Sequence, residues 1–515
     1  MNDPGCYRVA LERYPGMNPF VLDWLAGDER FLPRNGAPAS AGNRQPAEAP
    51  RPAEAGAPFP TEAGAPLLNA LIASNKQWGF DVEADLRRWA AGETLTIVAG
   101  QQVGFAGGPL YTIAKIASLL KMKREAAKPA TIFFWLATED HDYDEVATLA
   151  IPNRDEHRQR DLLYLRAPHA DSREVVGRLP VPDSLVDQFT SALGIARPKW
   201  LRPGITFGDS FAELLRETLG GGFVLIDALL PELRRAGAPL FDAIAARWNE
   251  VQNAIASRSD HMERAGYPPQ VVPRAGESYT LLYTINEKGE REMLHDPRHI
   301  GAPESISTSA LTRPLLQDFV LRPDVFIGGP SEVAYYAQIA PLHELLGVPM
   351  PRVALRGHVL VAPRRVVRYF SRFDIRPDEV FESAEEIAAA HTERVVDVQK
   401  IASDAEAELK EEIDRIRALA LPADHAVARS INRSIGHIEY HFRKLAERAV
   451  RGLVRKDRDR FHAARELASA FFPDRHVQDR IAGWFPWWLE FREQLVARLV
   501  DEIEPDTPAF KIVSL

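Results

Sequence analysis

Four short apolar runs punctuate the first part of the chain: Thr94–Ala99, Thr131–Ala137, Phe223–Asp227 and the stretch Arg322–Gly328. They are rich in β-branched or aromatic residues and are bounded by glycine or by charge. Continuous apolar runs of this length predict strands covered on both faces. Between them lie stretches with helical signals: Pro109–Lys123, a segment with Pro231 near its start, and Glu332–Leu346. Strands alternating with helices predict an α/β fold with a parallel sheet and helices on both faces. Residues 150–205 and 266–312 are richer in turns and mixed strand signals and are expected to be insertions into this core, which is drawn as residues 1–380.

The pattern changes after residue 380. Val395, Val398, Ala402, Ala405 and Leu409 recur at alternating steps of three and four, as do Ile431, Ile435, Ile438, Phe442, Leu445 and Ala449. Charged residues fill most of the gaps, and Ala420–Asp424 separates the two runs. This spacing predicts a helical coiled-coil arm over 381–456. Such an arm either mediates dimerisation or packs as a layer on its own core. The remainder, 457–515, is expected to be a helical return, with Trp484, Phe485, Trp487 and Trp488 in the core.

Composition narrows the class. The 515 residues carry a net charge of −9, with 45% hydrophobic and 26% charged residues. That balance is ordinary for a globular protein and argues against a nucleic-acid binder, which needs a basic excess. The lone cysteine, Cys6, excludes an internal disulfide and a thiolate metal site and fits a reducing compartment. No signal-peptide pattern or membrane-length apolar run is present, so a cytoplasmic protein with no membrane partner is expected. Residues 36–66, rich in Ala, Pro, Gly and Glu, predict a mobile linker without chemistry.

Three clusters carry candidate chemistry. The first, Gly100–Lys115, follows a strand and opens a helix. Its glycines allow close backbone approach, and a helix N-terminus there offers free N–H groups to an anion. Gly100, Gln101, Gln102, Gly104, Gly108, Pro109, Tyr111 and Thr112 are candidate substrate- or nucleotide-binding residues, and Lys115 is a candidate catalytic cation. Neither a Walker ending nor Gly-x-Gly-x-x-Gly is present. The second cluster, Glu139–Glu145, places Glu139, Asp140, His141 and Asp142 directly after a strand, with Asp144 and Glu145 beside them. That much charge at a strand end fits proton transfer, a basic substrate or Mg²⁺. Its structural reading is a helix cap with solvated neighbours. The third repeats the first: strand, Gly328-Gly-Pro330, helix, with Gly329, Ser331, Glu332, Tyr335 and Gln338 as binding candidates. Upstream, Arg313 suits a carboxylate or phosphate.

Several stretches together resemble one family. They are Gly100-Gln-Gln102, Gly108-Pro-Leu-Tyr-Thr112 with Lys115, Phe134–Glu145, Arg313-Pro-Leu-Leu-Gln317, Gly329–Gln338 and the late Gln478-Asp-Arg480. The family is that of the bacillithiol-biosynthesis cysteine-adding enzymes, the cysteine ligases. The resemblance runs from about residue 10 to the end. It implies a Rossmann-like, nucleotidylyltransferase-related core with connecting-peptide insertions and a coiled coil that supports a homodimer. It implies an activity: joining cysteine to glucosaminyl-malate to give bacillithiol. ATP with Mg²⁺ is the expected source of carboxylate activation, by acyl-phosphate or acyl-adenylate. On this reading Glu139, Asp140, His141 and Asp142 orient and deprotonate the attacking amine, and Lys115 stabilises developing charge. Tyr111, Glu332 and Gln338 position sugar hydroxyls, and Arg313 meets a malyl carboxylate. Two other classes stay open: a Mg²⁺-dependent nucleotidyltransferase or hydrolase using Glu139–Glu145, and a non-catalytic scaffold built on the coiled coil. The insertion at 36–66 departs from the family pattern.

Overall fold

The computed structural model describes residues 6–34, 64–153, 155, 160–169, 173–271, 281–391, 393–420, 425–454 and 457–515. Five strands form a parallel sheet: β1 Leu95–Gln101, β2 Ala130–Leu136, β3 Val224–Asp227, β4 Val325–Gly328 and β5 Arg352–Leu355. Their spatial order is β5-β4-β1-β2-β3. The four strands expected from the sequence are present. The fifth, β5, follows a Gly-Val-Pro turn and is too short to stand out by periodicity.

β2 is buried along its whole length, as a strand covered on both faces must be. Phe133, Phe134 and Trp135 are fully buried, and each such side chain contributes about 1.5–3 kcal/mol of burial free energy. Two helices serve the sheet directly. α1, Leu110–Glu125, connects β1 to β2, and α2, Pro330–Leu346, connects β4 to β5. The chain moves outward from β1 in one direction and from β4 in the other. Right-handed crossovers therefore place α1 and α2 on opposite faces. The sheet order reverses between β1 and β4, and ligand crevices of such sheets open at that point, beyond the carboxyl ends of the strands.

The insertions differ from expectation in part. Within 150–205, Thr148–Pro152 and Leu162–Arg166 form an antiparallel hairpin, but Asp183–Leu193 is a helix. Its C-terminus closes on Gly194 in the left-handed conformation. Within 266–312, Leu282–Ile285 pairs antiparallel with both Arg291–Met293 and Ile306–Thr308.

The chain divides into two compact units, residues 10–360 with 479–513, and residues 1–9 with 361–478 and 514–515. The sheet and both insertions belong to the first. So do Trp484, Phe485 and Trp488, which are buried. The second unit contains the helical hairpin α3, Glu393–Ala420, and α4, His425–Val454, which pack against each other. Ile413 and Ile435 are buried in it, whereas Ile438 and Leu445, expected in the seam, are 49% and 65% exposed. The side chains of Val395 and Val398 lie outside the described residues, as does most of the Pro/Ala-rich segment; its last residues, Gly64–Pro66, begin a helix. No described helix is long and apolar enough to cross a membrane.

Candidate active site

The turn after β1 is built by glycine. Ala106, Gly107 and Gly108 all take positive φ. A side chain at Gly107 would place its Cβ 2.4 Å from the Trp484 indole, whose Nε1 donates to the Gly107 carbonyl at 3.1 Å. Pro109 then caps α1 from an extended conformation, one residue ahead of the first helical turn where it was expected. β1 also meets β2 closely, because a Cβ at Gly100 would lie 3.0 Å from that of Trp135.

Two cavities open at this end of the sheet, of about 540 and 630 Å³. The first gathers residues from all three clusters. Gly100 and Lys115 come from the first cluster, Glu139, Asp140 and His141 from the second, and Gly329, Ser331, Glu332 and Tyr335 from the third, with Arg313 beside them. The second is lined by Gly104, Gly108, Pro109, Thr112 and Asp144, and by the hairpin Thr148–Pro152/Leu162–Arg166. Gln101, Gln102, Tyr111 and Glu145 line both. Asp142 and Gln338 line neither.

Three of the expected roles are corrected by the local geometry. Asp142 caps the short helix Tyr143–Val146, its carboxylate accepting the Glu145 N–H at 3.0 Å. Gln338 is fully buried and donates to Ser259 Oγ at 2.9 Å and to the Val271 carbonyl at 2.7 Å, so it cannot reach a sugar hydroxyl. Glu139 is also fully engaged. Its carboxylate accepts from Arg234 Nη2, Ser307 Oγ, the Thr308 N–H and Thr308 Oγ1, at 2.7–3.1 Å. Four donors occupy its two oxygens, and it joins the end of β2 to the 281–308 sheet. Glu139→Gln is expected to strand the buried Arg234 charge and to cost about 3–5 kcal/mol, read as a lower urea midpoint.

Lys115 is buried and ties the elbows together. Its ammonium donates to the Gly100 carbonyl at 2.7 Å and Gln101 Oε1 at 2.9 Å and forms an ion pair with Glu332. Burial pushes its pKa down, and Glu332 opposes that shift. Burial also works against ionisation of Asp140, but hydrogen bonds from the His141 backbone N–H and from Gln102, with the Arg291 charge, outweigh it. Asp140 is therefore held well below the usual carboxylate range. Glu145 behaves in the opposite way. Burial raises its pKa; a hydrogen bond from Gln102 lowers it, while Asp142 and Asp140 raise it further. The residue is nonetheless exposed, and it lines both cavities. Burial likewise pushes the Tyr111 and Tyr335 phenols up.

Three arginines of the first cavity were not singled out from the sequence: Arg291, Arg356 and Arg480. Arg356 is buried and donates to Asp479 at 2.8 Å. Arg291 contacts His141 at 3.1 Å. Arg480 is exposed where the two cavities adjoin. Arg313 donates to Gln317 and to the Tyr335 hydroxyl, at 3.1 and 2.8 Å. Among the described residues neither Arg313 nor Arg480 has a carboxylate ion-pair partner, although the other cations of this cavity do.

Glu139–Glu145 is thus dispersed: one residue points inward, one caps a helix, and Asp144 pairs with His169 at 2.8 Å. Among the described residues no three histidine, cysteine, aspartate or glutamate side chains converge as a metal-ligand group. The run therefore does not form a protein-only cage for a cation.

Two family models match the chain. One describes the N-terminal Rossmann-like domain of bacillithiol biosynthesis BshC and matches residues 59–301 and 298–357; the other describes the C-terminal coiled-coil domain of the same proteins and matches 359–515. Similar curated proteins named "Putative cysteine ligase BshC" occur in Solibacter usitatus and Koribacter versatilis. The first is 29% identical, covering 81% of this chain and 84% of the relative. The second is 28% identical, covering 84% and 86%. A third with that name, from Exiguobacterium sibiricum, is 26% identical, covering 84% and 87%.

Proposed function

The chain belongs to the BshC family of bacillithiol-biosynthesis proteins, and from that premise we propose that it ligates cysteine to glucosaminyl-malate through an amide bond. The relatives' ligase name supports the reaction class. The observation that supports the substrate is the pair Arg313 and Arg480, two cavity guanidinium groups with no carboxylate ion pair among the described residues. A malyl group brings two carboxylates, and each can take one of them through charge-assisted hydrogen bonds.

The attacking sugar amine must lose a proton. Glu145 is the acceptor in this reading, because its raised pKa makes it a stronger base than an ordinary glutamate. Tyr111 and Glu332 face the same cavity and orient hydroxyls. A free carboxylate is a poor electrophile, and ATP, when bound, supplies the phosphoryl or adenylyl group that activates it. The second cavity fits a nucleotide's phosphates. It combines the glycine turn and the N-terminus of α1 with the Thr112 hydroxyl, which is buried and has no hydrogen-bond partner among the described residues. Mg²⁺ carried on phosphate oxygens needs only one or two carboxylates, and Asp144 and Glu145 line that cavity. The protein acts in the cytoplasm as a homodimer formed through α3 and α4. Exposed Ile401, Ile416, Leu419 and Leu445 on these helices support the pairing.

Purified protein incubated with cysteine, glucosaminyl-malate and ATP-Mg²⁺ should yield a new thiol detectable by fluorescent labelling. AMP would identify adenylation and ADP an acyl-phosphate. Absence of product with all three present would sink the proposal. Arg313→Met is expected to raise KM for glucosaminyl-malate by about 30-fold or more, since loss of one partner of a buried charge pair costs about 2–5 kcal/mol. An unchanged KM would remove Arg313 from the site.

A further inference from the structure

Arg291 is buried on the strand Arg291–Met293, and its guanidinium is fixed on three sides. Nε donates to Ser307 Oγ at 3.0 Å, and Nη2 donates to the Thr308 carbonyl. Cζ lies 3.9 Å from the centre of the Tyr283 ring. The remaining amino group, Nη1, sits 3.1 Å from His141 Nδ1.

A guanidinium has no lone pair and keeps its proton in proteins. The contact is therefore favourable only when Nδ1 is the acceptor. Asp140 Oδ1 is the competing neighbour, 3.5 Å from Nδ1. That separation is beyond an ordinary hydrogen bond, and the same oxygen already takes the His141 backbone N–H at 2.7 Å. A hydrogen on Nδ1 would instead face the Nη1 hydrogens of Arg291. In the neutral ring the hydrogen must then reside on Nε2.

We infer that Arg291 is a positioning residue that fixes His141 as an Nε2–H donor toward the first cavity, where it holds an anionic oxygen of the bound reactants rather than accepting a proton. This replaces the general-base role expected for His141 and leaves Glu145 as the proton acceptor. The inference rests on the ligase reading only for the identity of the oxygen, whether carboxylate, phosphate or the alkoxide that develops in acyl transfer. The tautomer does not depend on it. Preorganised donors of this kind are effective because they are already aimed when charge develops.

Nitrogen-15 labelling of the histidine rings in the full-length protein tests the tautomer directly, with His141→Gln used to assign the signal. The expected wild-type pattern is an unprotonated Nδ1 and a protonated Nε2, replaced by a tautomer mixture in Arg291→Met and restored in Arg291→Lys. A hydrogen on Nδ1 in the wild type overturns the proposal, even if the Arg291 variants fail to fold. Kinetics supply the second readout. Glutamine places an N–H close to the Nε2 position, so His141→Gln should retain turnover within about ten-fold, whereas His141→Ala should lose about 10²-fold in kcat, as for one missing oxyanion donor. Equal losses, or no loss in either, would overturn the donor role. If the wild type ligates nothing, the ligase reading fails while the ring spectrum still decides the tautomer.

Discussion

Glu145→Gln is expected to lower kcat by about 10²–10⁴-fold, the range for a positioned general base, with KM for both substrates nearly unchanged. Glutamine keeps the size and a polar tip but cannot accept a proton. Glu145 lines both cavities, so it stands where a group bound in one would meet a group bound in the other. Its carboxyl is raised above the ordinary glutamate value of 4.5 by burial and by nearby Asp142 and Asp140. The competent form is the carboxylate. Activity should therefore fall as pH drops through that raised value, and the acidic limb of the kcat profile should lie above 4.5. In Glu145→Gln this limb should vanish from the residual rate. Asp140 cannot account for the limb, because it is held below the usual range and stays ionised. A glutamine variant with wild-type kcat and an unchanged profile would remove Glu145 from proton transfer.

Glu145 was legible in the sequence as one of a charged run, but its role was not. The run announced itself because charge directly after a buried strand needs a reason. What separates its members is their partners, which come from distant segments. Glu139 turns inward to meet Ser307 and Thr308. Asp142 turns back on its own helix, a capping reading that the sequence did offer. The glycine turns were readable for a physical cause that is local: a backbone that must bend sharply, or pass close to Trp135 or Trp484, excludes a side chain. The same logic placed the end of β4 at Gly328 correctly, whereas β1 runs on past the expected Ala99 to Gln101.

The arginines were not readable. Arg291 sits in a turn-rich segment with no periodicity of its own, and only antiparallel pairing across residues 282–308 carries it to His141. Arg480 lies far along the chain from the strands it serves. Its segment carried family resemblance but no chemical signature. The exposed Ile438 and Leu445 show the converse case. Their heptad spacing was plain, yet periodicity cannot say whether a seam closes on its own hairpin or on another chain.

Lys115→Met should show the second large effect, a loss of about 10²–10³-fold in turnover together with a marked drop in stability. Lys115 reaches from α1 to the Gly100 carbonyl and Gln101 at the end of β1, and to Glu332 at the start of α2. Glu332 in turn accepts the Gly329 N–H at 2.7 Å. The ammonium is thus a brace across the switch point, joining the elbow after β1 to the elbow after β4. Its side chain is 5% exposed and that of Glu332 is 17% exposed, so methionine would leave a carboxylate with little water and without its ion-pair partner. Breaking such a pair from one side costs about 3–5 kcal/mol. The elbows would also relax, and a displacement of about 1 Å in reacting groups can cost 10²-fold in rate. The double variant Lys115→Met/Glu332→Leu separates these effects. Removing both charges should recover much of the stability, read from the urea midpoint, because replacing a buried pair by apolar groups is often neutral. Turnover should stay low, because neither the brace nor the cavity carboxylate is restored. Additive stability losses in the two single variants and their double would show that the pair does not act as a unit, and wild-type turnover in Lys115→Met would show that the elbows need no brace.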